Sequence, residues 1–117
     1  MIDVRRLRTK NTKASGMLEF LVFREGRQYV GVCLTLNIVE EGSNPVRLME
    51  SIVEAARGHV RLVIKKRLSD DLLNRPAPDK YWDRYLGALD EFANRTSKSG
   101  SAFTTQLPWV ERKKPWI

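Results

Sequence analysis

Apolar and polar positions change period along the chain, and the changes divide it into elements. Residues 17–23, MLEFLVF, are rich in strand formers and predict a first strand. REGRQ follows, with Gly26 free to take positive φ, and then YVGVCL, a second strand candidate. Two such runs joined by a few residues containing glycine predict an antiparallel hairpin. In the second run Tyr29, Gly31 and Cys33 share one face and Val30, Val32 and Leu34 the other. The valine–leucine face is expected to be the core face. TLN then links to IVEE at 38–41, a third strand.

The period lengthens after GSNP. Asn44 is placed to cap a helix and Pro45 to occupy its first position. Met49, Ile52, Val53, Ala56, Val60, Val63 and Ile64 then recur at spacings of three and four, which puts them on one helical face. The opposite face carries Glu50 and Glu54 first and Arg57 and Arg61 later, an order that permits pairing one turn apart. Lys65, Lys66 and Arg67 lie where the helix dipole favours cations. Gly58 lowers helix propensity and is read as the mark of a close contact. SDDLLNRPAP breaks the period: Ser69 or Asp70 caps a short turn, and RPAP is extended because a residue before proline avoids the helical region. A second helix is predicted from about Pro78 to Ala93, with Trp82, Tyr85, Leu86, Leu89, Phe92 and Ala93 as its apolar stripe.

The expected fold is therefore α+β. A three- or four-stranded antiparallel sheet carries a long helix on one face, followed by a C-terminal helix. Residues 1–15 show no period and are expected to be a flexible arm, 16–93 the domain, and 94–117 a tail that carries Phe103, Trp109 and Trp116.

Charge sharpens this division. The net charge of +7 is held at the ends: residues 1–16 carry +4, residues 94–117 carry +4, and residues 17–93 carry −1. Basic arms either solubilise or hold phosphates. The candidate nucleic-acid contacts are Arg5, Arg6, Arg8, Lys10, Lys113 and Lys114. The opening residues lack the apolar centre of a signal peptide, and no apolar run spans a membrane, so a cytoplasmic protein with no membrane contact is expected.

The parts for catalysis are scarce. Cys33 and His59 are the sole residues of their kinds. A lone cysteine in a strand is usually a packed side chain, and His59 sits on the flank of the helical stripe. One cysteine and one histidine give no metal cluster, and GSNP lacks the glycine spacing and lysine of a phosphate loop. No enzymatic activity, metal or cofactor is expected; an enzyme built on His59 or Cys33 is the weakest reading. A small sheet with open edges favours pairing with another chain, either a partner protein or a second copy in a homodimer or higher oligomer.

One family resemblance bears on the partner. FLVFREGRQYVGVCLTLNIVEEGSNPVRLMESIVEAARGHV, together with NRPAPDKYW, resembles the HicB-like antitoxins of toxin–antitoxin pairs over about residues 18–85. The resemblance implies a β-β-β-α core like that of double-stranded-RNA-binding folds. It implies binding to a small HicA-type toxin that cleaves mRNA, and the blocking of that toxin. The operator-binding module that many such antitoxins add has no counterpart after residue 93. An orphan relative without a toxin and a nucleic-acid-binding protein working through its basic arms are the alternatives. For a toxin partner, the sheet's outer face and an edge are the expected surface, with Glu19 and Tyr29 on it and Glu40 and Glu41 facing a basic partner.

Overall fold

The computed structural model describes residues 10–94 and 102–110. Their order is β1 (Ser15–Glu25), β2 (Gln28–Cys33), β3 (Ile38–Gly42), α1 (Pro45–Lys65), a 3-10 turn (Asp70–Leu73), α2 (Asp79–Asn94) and β4 (Ala102–Val110). The strands form one antiparallel sheet in the order β3-β2-β1-β4. The fold is α+β, with four strands and two helices.

Local chemistry sets the joints. Glu25 pairs with Gln28, so Gly26 and Arg27 form a two-residue turn, and Gly26 has φ of 65°. A left-handed first position is what such a hairpin turn asks of glycine. Asn37 closes the β2–β3 link at φ 55°, a conformation asparagine tolerates better than most side chains. The Asn44 side chain accepts the backbone N–H groups of Val46 (3.0 Å) and Arg47 (3.1 Å), and Pro45 opens the helix. Such a cap is worth about 1 kcal/mol.

Both faces of the sheet are buried. Leu18, Phe20 and Val22 of β1 and Cys33 of β2 pack with Leu48, Ile52, Ala56, Val60 and Val63 of α1. Leu21 and Phe23 of β1, with Val30, Val32 and Leu34, pack instead with Ala77, Trp82 and Tyr85. The long helix thus covers the face of Tyr29, Gly31 and Cys33. The valine–leucine face is a core face, as expected; the face of Tyr29, Gly31 and Cys33 is a second one, and the long helix lies there. Gly31 explains how: a Cβ there would lie 2.9 Å from Leu48 Cγ and 3.1 Å from Ile52 Cδ1, so the missing side chain makes room for α1. The valine–leucine face belongs to α2. The chain reaches it through residues 74–78, whose backbone is bonded to the β2–β3 link by Arg75 N–H to Thr35 O (2.9 Å) and Ala77 N–H to Leu34 O (2.8 Å).

Two segments expected outside the domain are part of it. Residues 10–15 lie in the expected arm, yet Asn11 is buried. Its backbone N–H donates to Asn74 Oδ1 (2.8 Å), and Asn74 Nδ2 donates back to the Asn11 carbonyl (2.8 Å). The Asn11 side chain donates to the Leu73 carbonyl (2.9 Å) and accepts from Met17 N–H (2.9 Å). Lys13 adds an ion pair with Asp70 and a hydrogen bond to the Leu68 carbonyl (2.7 Å). At the other end, Ala102–Val110 of the expected tail is β4, paired with β1 from Ser15↔Val110 to Phe23↔Ala102. Pro108 cannot donate to a ladder, and β4 is an edge strand, where that loss is tolerated. Trp109 faces Gly16 and lies across it; a Cβ on Gly16 would come within 2.3 Å of the indole ring.

Gly58 marks no close contact: nothing lies within 4 Å of the Cβ it lacks. Gly58→Ala is expected to raise stability by about 0.5–1 kcal/mol through helix propensity. Gly16→Ala is expected to lower it by about 1–3 kcal/mol, because the Trp109 ring must move. Urea unfolding of the two variants checks both signs.

Candidate functional site

With a helix on each face, the described residues leave the sheet two open strands, β3 and β4. The four residues expected to meet a partner distribute unevenly over this frame. Glu19 lies on β1, an interior strand, on the α2 face with Leu21 and Phe23; it is fully buried and sits opposite Gln106 of β4. Gln106 in turn donates to the Tyr85 hydroxyl (2.8 Å). Glu19 is therefore no contact residue on an outer face, since α2 and β4 close that face over it. An acid between Leu18 and Phe20 reads as the solvent side of a strand until the second helix is in place.

Tyr29 is also corrected. It is half-buried against the α1 core and not on a free sheet face. It pairs with Gly42, so it stands beside β3 and near the two glutamates. Glu40 pairs with Gly31 on the α1 side, half-buried, and its Oε1 accepts the Ser51 hydroxyl of α1 (2.7 Å). Glu41 points to the other side and is exposed. Val39 lies on the same side as Glu41, pairs with Val32 and is 43% exposed. The sequence reading missed Val39. The period-2 pattern holds the signal: Val39 and Glu41 alternate with Ile38 and Glu40, and only the former pair is exposed.

The resulting site is an edge strand with an exposed apolar side chain, an exposed carboxylate beside it, and a second carboxylate steadied by Ser51. An open strand edge offers backbone donors and acceptors to an added strand. Val39 supplies apolar area, and Glu41 selects for a cationic neighbour. Of the candidate nucleic-acid contacts, Lys10 is exposed, and Arg5, Arg6, Arg8, Lys113 and Lys114 lie outside the described residues.

The two residues considered for chemistry are both held in the interior framework. Cys33 is fully buried, with Sγ 3.6 Å from Thr35 Oγ1, and burial pushes its thiol pKa up. His59 is half-buried, and its Nε2–H donates to the Leu72 carbonyl (2.6 Å), which ties α1 to the 3-10 turn. Among the described residues no group of three or more His, Cys, Asp or Glu side chains could hold a metal ion. None of the described helices is long and apolar enough to cross a membrane.

The raised pKa and burial of Cys33 predict that a thiol reagent labels it only on unfolding; labelling of the native protein within minutes at neutral pH would contradict this. Asp70 titrates in the opposite sense. The hydrogen bond from the Lys13 ammonium holds its carboxyl below the ordinary value. Its folded-state pKa is thus below the unfolded value of about 3.9, so its contribution is full above that value and fades as pH falls through the folded one. Asp70→Asn should be less stable than the parent at pH 7, and the difference should close in acid. Compared with family models, with curated proteins and with solved structures, the chain matches none of them.

Proposed function

We propose that this chain is a protein-binding module of the HicB-like antitoxin kind, one that binds and neutralises an RNA-cleaving toxin of the HicA type through its β3 edge. The observation that carries the reading is that edge: Val39 exposed, Glu41 exposed beside it, and no described strand on its outer side. A protein that cleaves RNA needs cationic side chains to hold phosphates, and an antitoxin that meets those side chains with carboxylates occupies the same surface. The β-β-β-α order of residues 15–65 agrees with the core that the resemblance implies. The second helix covers the other sheet face, and of the two open strands β3 is the one that carries Glu40 and Glu41.

The full-length chain, co-expressed with the small protein encoded beside it, should give a stable complex in which RNA cleavage is suppressed. Val39→Asp and Glu41→Lys should each weaken that complex about ten-fold or more, as expected for contacts near the centre of an interface. Both side chains are exposed, so both variants should melt close to the parent. A complex that forms unchanged with both substitutions would exclude the β3 edge. A neighbouring protein without RNA cleavage would exclude the toxin.

A further inference from the structure

The outer side of α1 carries its charges in an order that its own chain does not use. Glu50 and Glu54 lie on the first half of the helix and Arg57 and Arg61 on the second, and all four are exposed. At 3.6 residues per turn they fall on one stripe, within about 60° of one another. Their spacing permits pairing one turn apart, yet among the described residues none of the four forms an ion pair. Arg61 Nε donates instead to the Arg57 carbonyl (3.4 Å). Val46 and Ile64 share one flank of the stripe. Val46 is 67% exposed and Ile64 half-buried. Ile64 lines a groove of about 210 Å³ with Val60, Leu18 and Leu107, and Arg57 and Arg61 stand at its rim. That is the space of about seven waters at roughly 30 Å³ each, which takes single side chains and not the body of a helix.

The stripe is complementary to itself. Glu50 and Arg61 are equally far from the point between Ala55 and Ala56, and so are Glu54 and Arg57. A two-fold axis through that point lays a second α1 antiparallel to the first. It sets Glu50 against Arg61 and Glu54 against Arg57, and the symmetry repeats both pairs. Every charge of the stripe then meets an opposite one. In such a pair each flank meets the same flank of the other copy, so Val46 comes beside Ile64 at the mouth of the groove. A parallel pair would set each residue beside its own copy and oppose like charges throughout. Arg47 and Lys65 fall on the other flank, at the wet rim, where exposed charges contribute little either way.

From this arrangement we infer that the outer stripe of α1 is a self-association surface, through which two copies of the chain pair by antiparallel α1 helices. The contact is isologous: the same patch serves both copies. An acidic helix from another protein would satisfy Arg57 and Arg61 but would set like charge against Glu50 and Glu54. A second copy satisfies all four and brings Val46 out of water. The helix has 21 residues and is about 30 Å long. A contact one helix wide lies at the small end of protein interfaces, so the dimer forms and dissociates with concentration, and its exposed ion pairs make it sensitive to salt. The surface includes no residue of the β3 edge. It leaves that edge free for a partner and does not depend on the function proposed for it.

Sedimentation velocity of the full-length chain from micromolar to millimolar concentration, at low and high salt, tests the inference. The parent should pass from monomer to dimer as concentration rises and return toward monomer as salt is added. Glu50→Arg with Glu54→Arg should be monomeric where the parent is dimeric, and so should Arg57→Glu with Arg61→Glu. An equal mixture of the two double variants should restore the dimer, because each cation of one chain then faces an acid of the other. If either double variant melts far below the parent, Val46→Ser decides, and it should weaken the dimer about five-fold or more. A parent that stays monomeric throughout would overturn the inference, whether or not an acidic amphipathic peptide binds it. So would a dimer that both double variants keep, which would place the contact elsewhere. Folded variants that fail to pair when mixed, or a parent-like Val46→Ser dimer, would overturn it as well.

Discussion

Everything in this molecule depends on β1 being buried on every side. Over Phe20–Phe23 it is paired with β2 along one edge and with β4 along the other. Its side chains divide alternately between two cores: Phe20 and Val22 go to α1, Leu21 and Phe23 to α2. Each of these large apolar groups removed from water is worth about 1.5–3 kcal/mol. A strand that feeds two cores also couples them, because one cannot loosen without disturbing the register of the other. The unbroken run FLVF in β1 is the trace of this in the sequence: a half-buried strand alternates, and a strand covered on both faces does not.

The same constraint sorts the surface. Two covered faces leave binding to the strand edges and to the margins of α1. Glu41 is exposed on β3, and Glu50 and Glu54 on the first half of α1 beside Arg47; on the second half Arg57 and Arg61 are exposed, beside β4. The order of acids and bases that a helix uses for its own stability thus also polarises the domain between its two open edges. The small tie points serve this geometry. Asn11 and Asn74 bond reciprocally and hold the chain before β1 against the 3-10 turn, and Trp109 lies over Gly16 at the start of β1. Both fasten the β1–β4 end of the sheet.

What could be read from the sequence was what short-range chemistry decides. Gly26 in its turn, the Asn44–Pro45 cap, the extended RPAP segment and the stripe from Ile52 to Val63 depend on neighbours a few residues away. Leu48 was missed because the stripe was centred on Met49 and Val53, one position round the helix; both are half-buried, and Leu48 is the residue that meets Gly31. That the face opposite Val32 and Leu34 also packs a helix is hidden for the same reason. Gly31 reads as a gap in a strand, whereas in three dimensions it admits a helix. β4 alternates, with Phe103, Leu107 and Trp109 on one side, but Thr105 and Pro108 break the apolar rhythm and its partner lies 79 to 95 residues away in the chain. Glu19 could not be placed without β4 and α2, since nothing nearby in the sequence announces a buried acid. Of the expected contact residues, Glu40 and Glu41 lie on the open edge and Tyr29 beside it, while Val39 became visible only when the edge did.

Amide hydrogen exchange along the sheet tests the central claim most directly. With β1 between two strands, the amides from Phe20 to Phe23 all have ladder partners and should exchange only through global unfolding, without alternation. The edge strands β3 and β4 should show protection at every second residue. Alternating protection within Phe20–Phe23 would mean that one neighbour is absent, and with it the register that places Trp109 over Gly16.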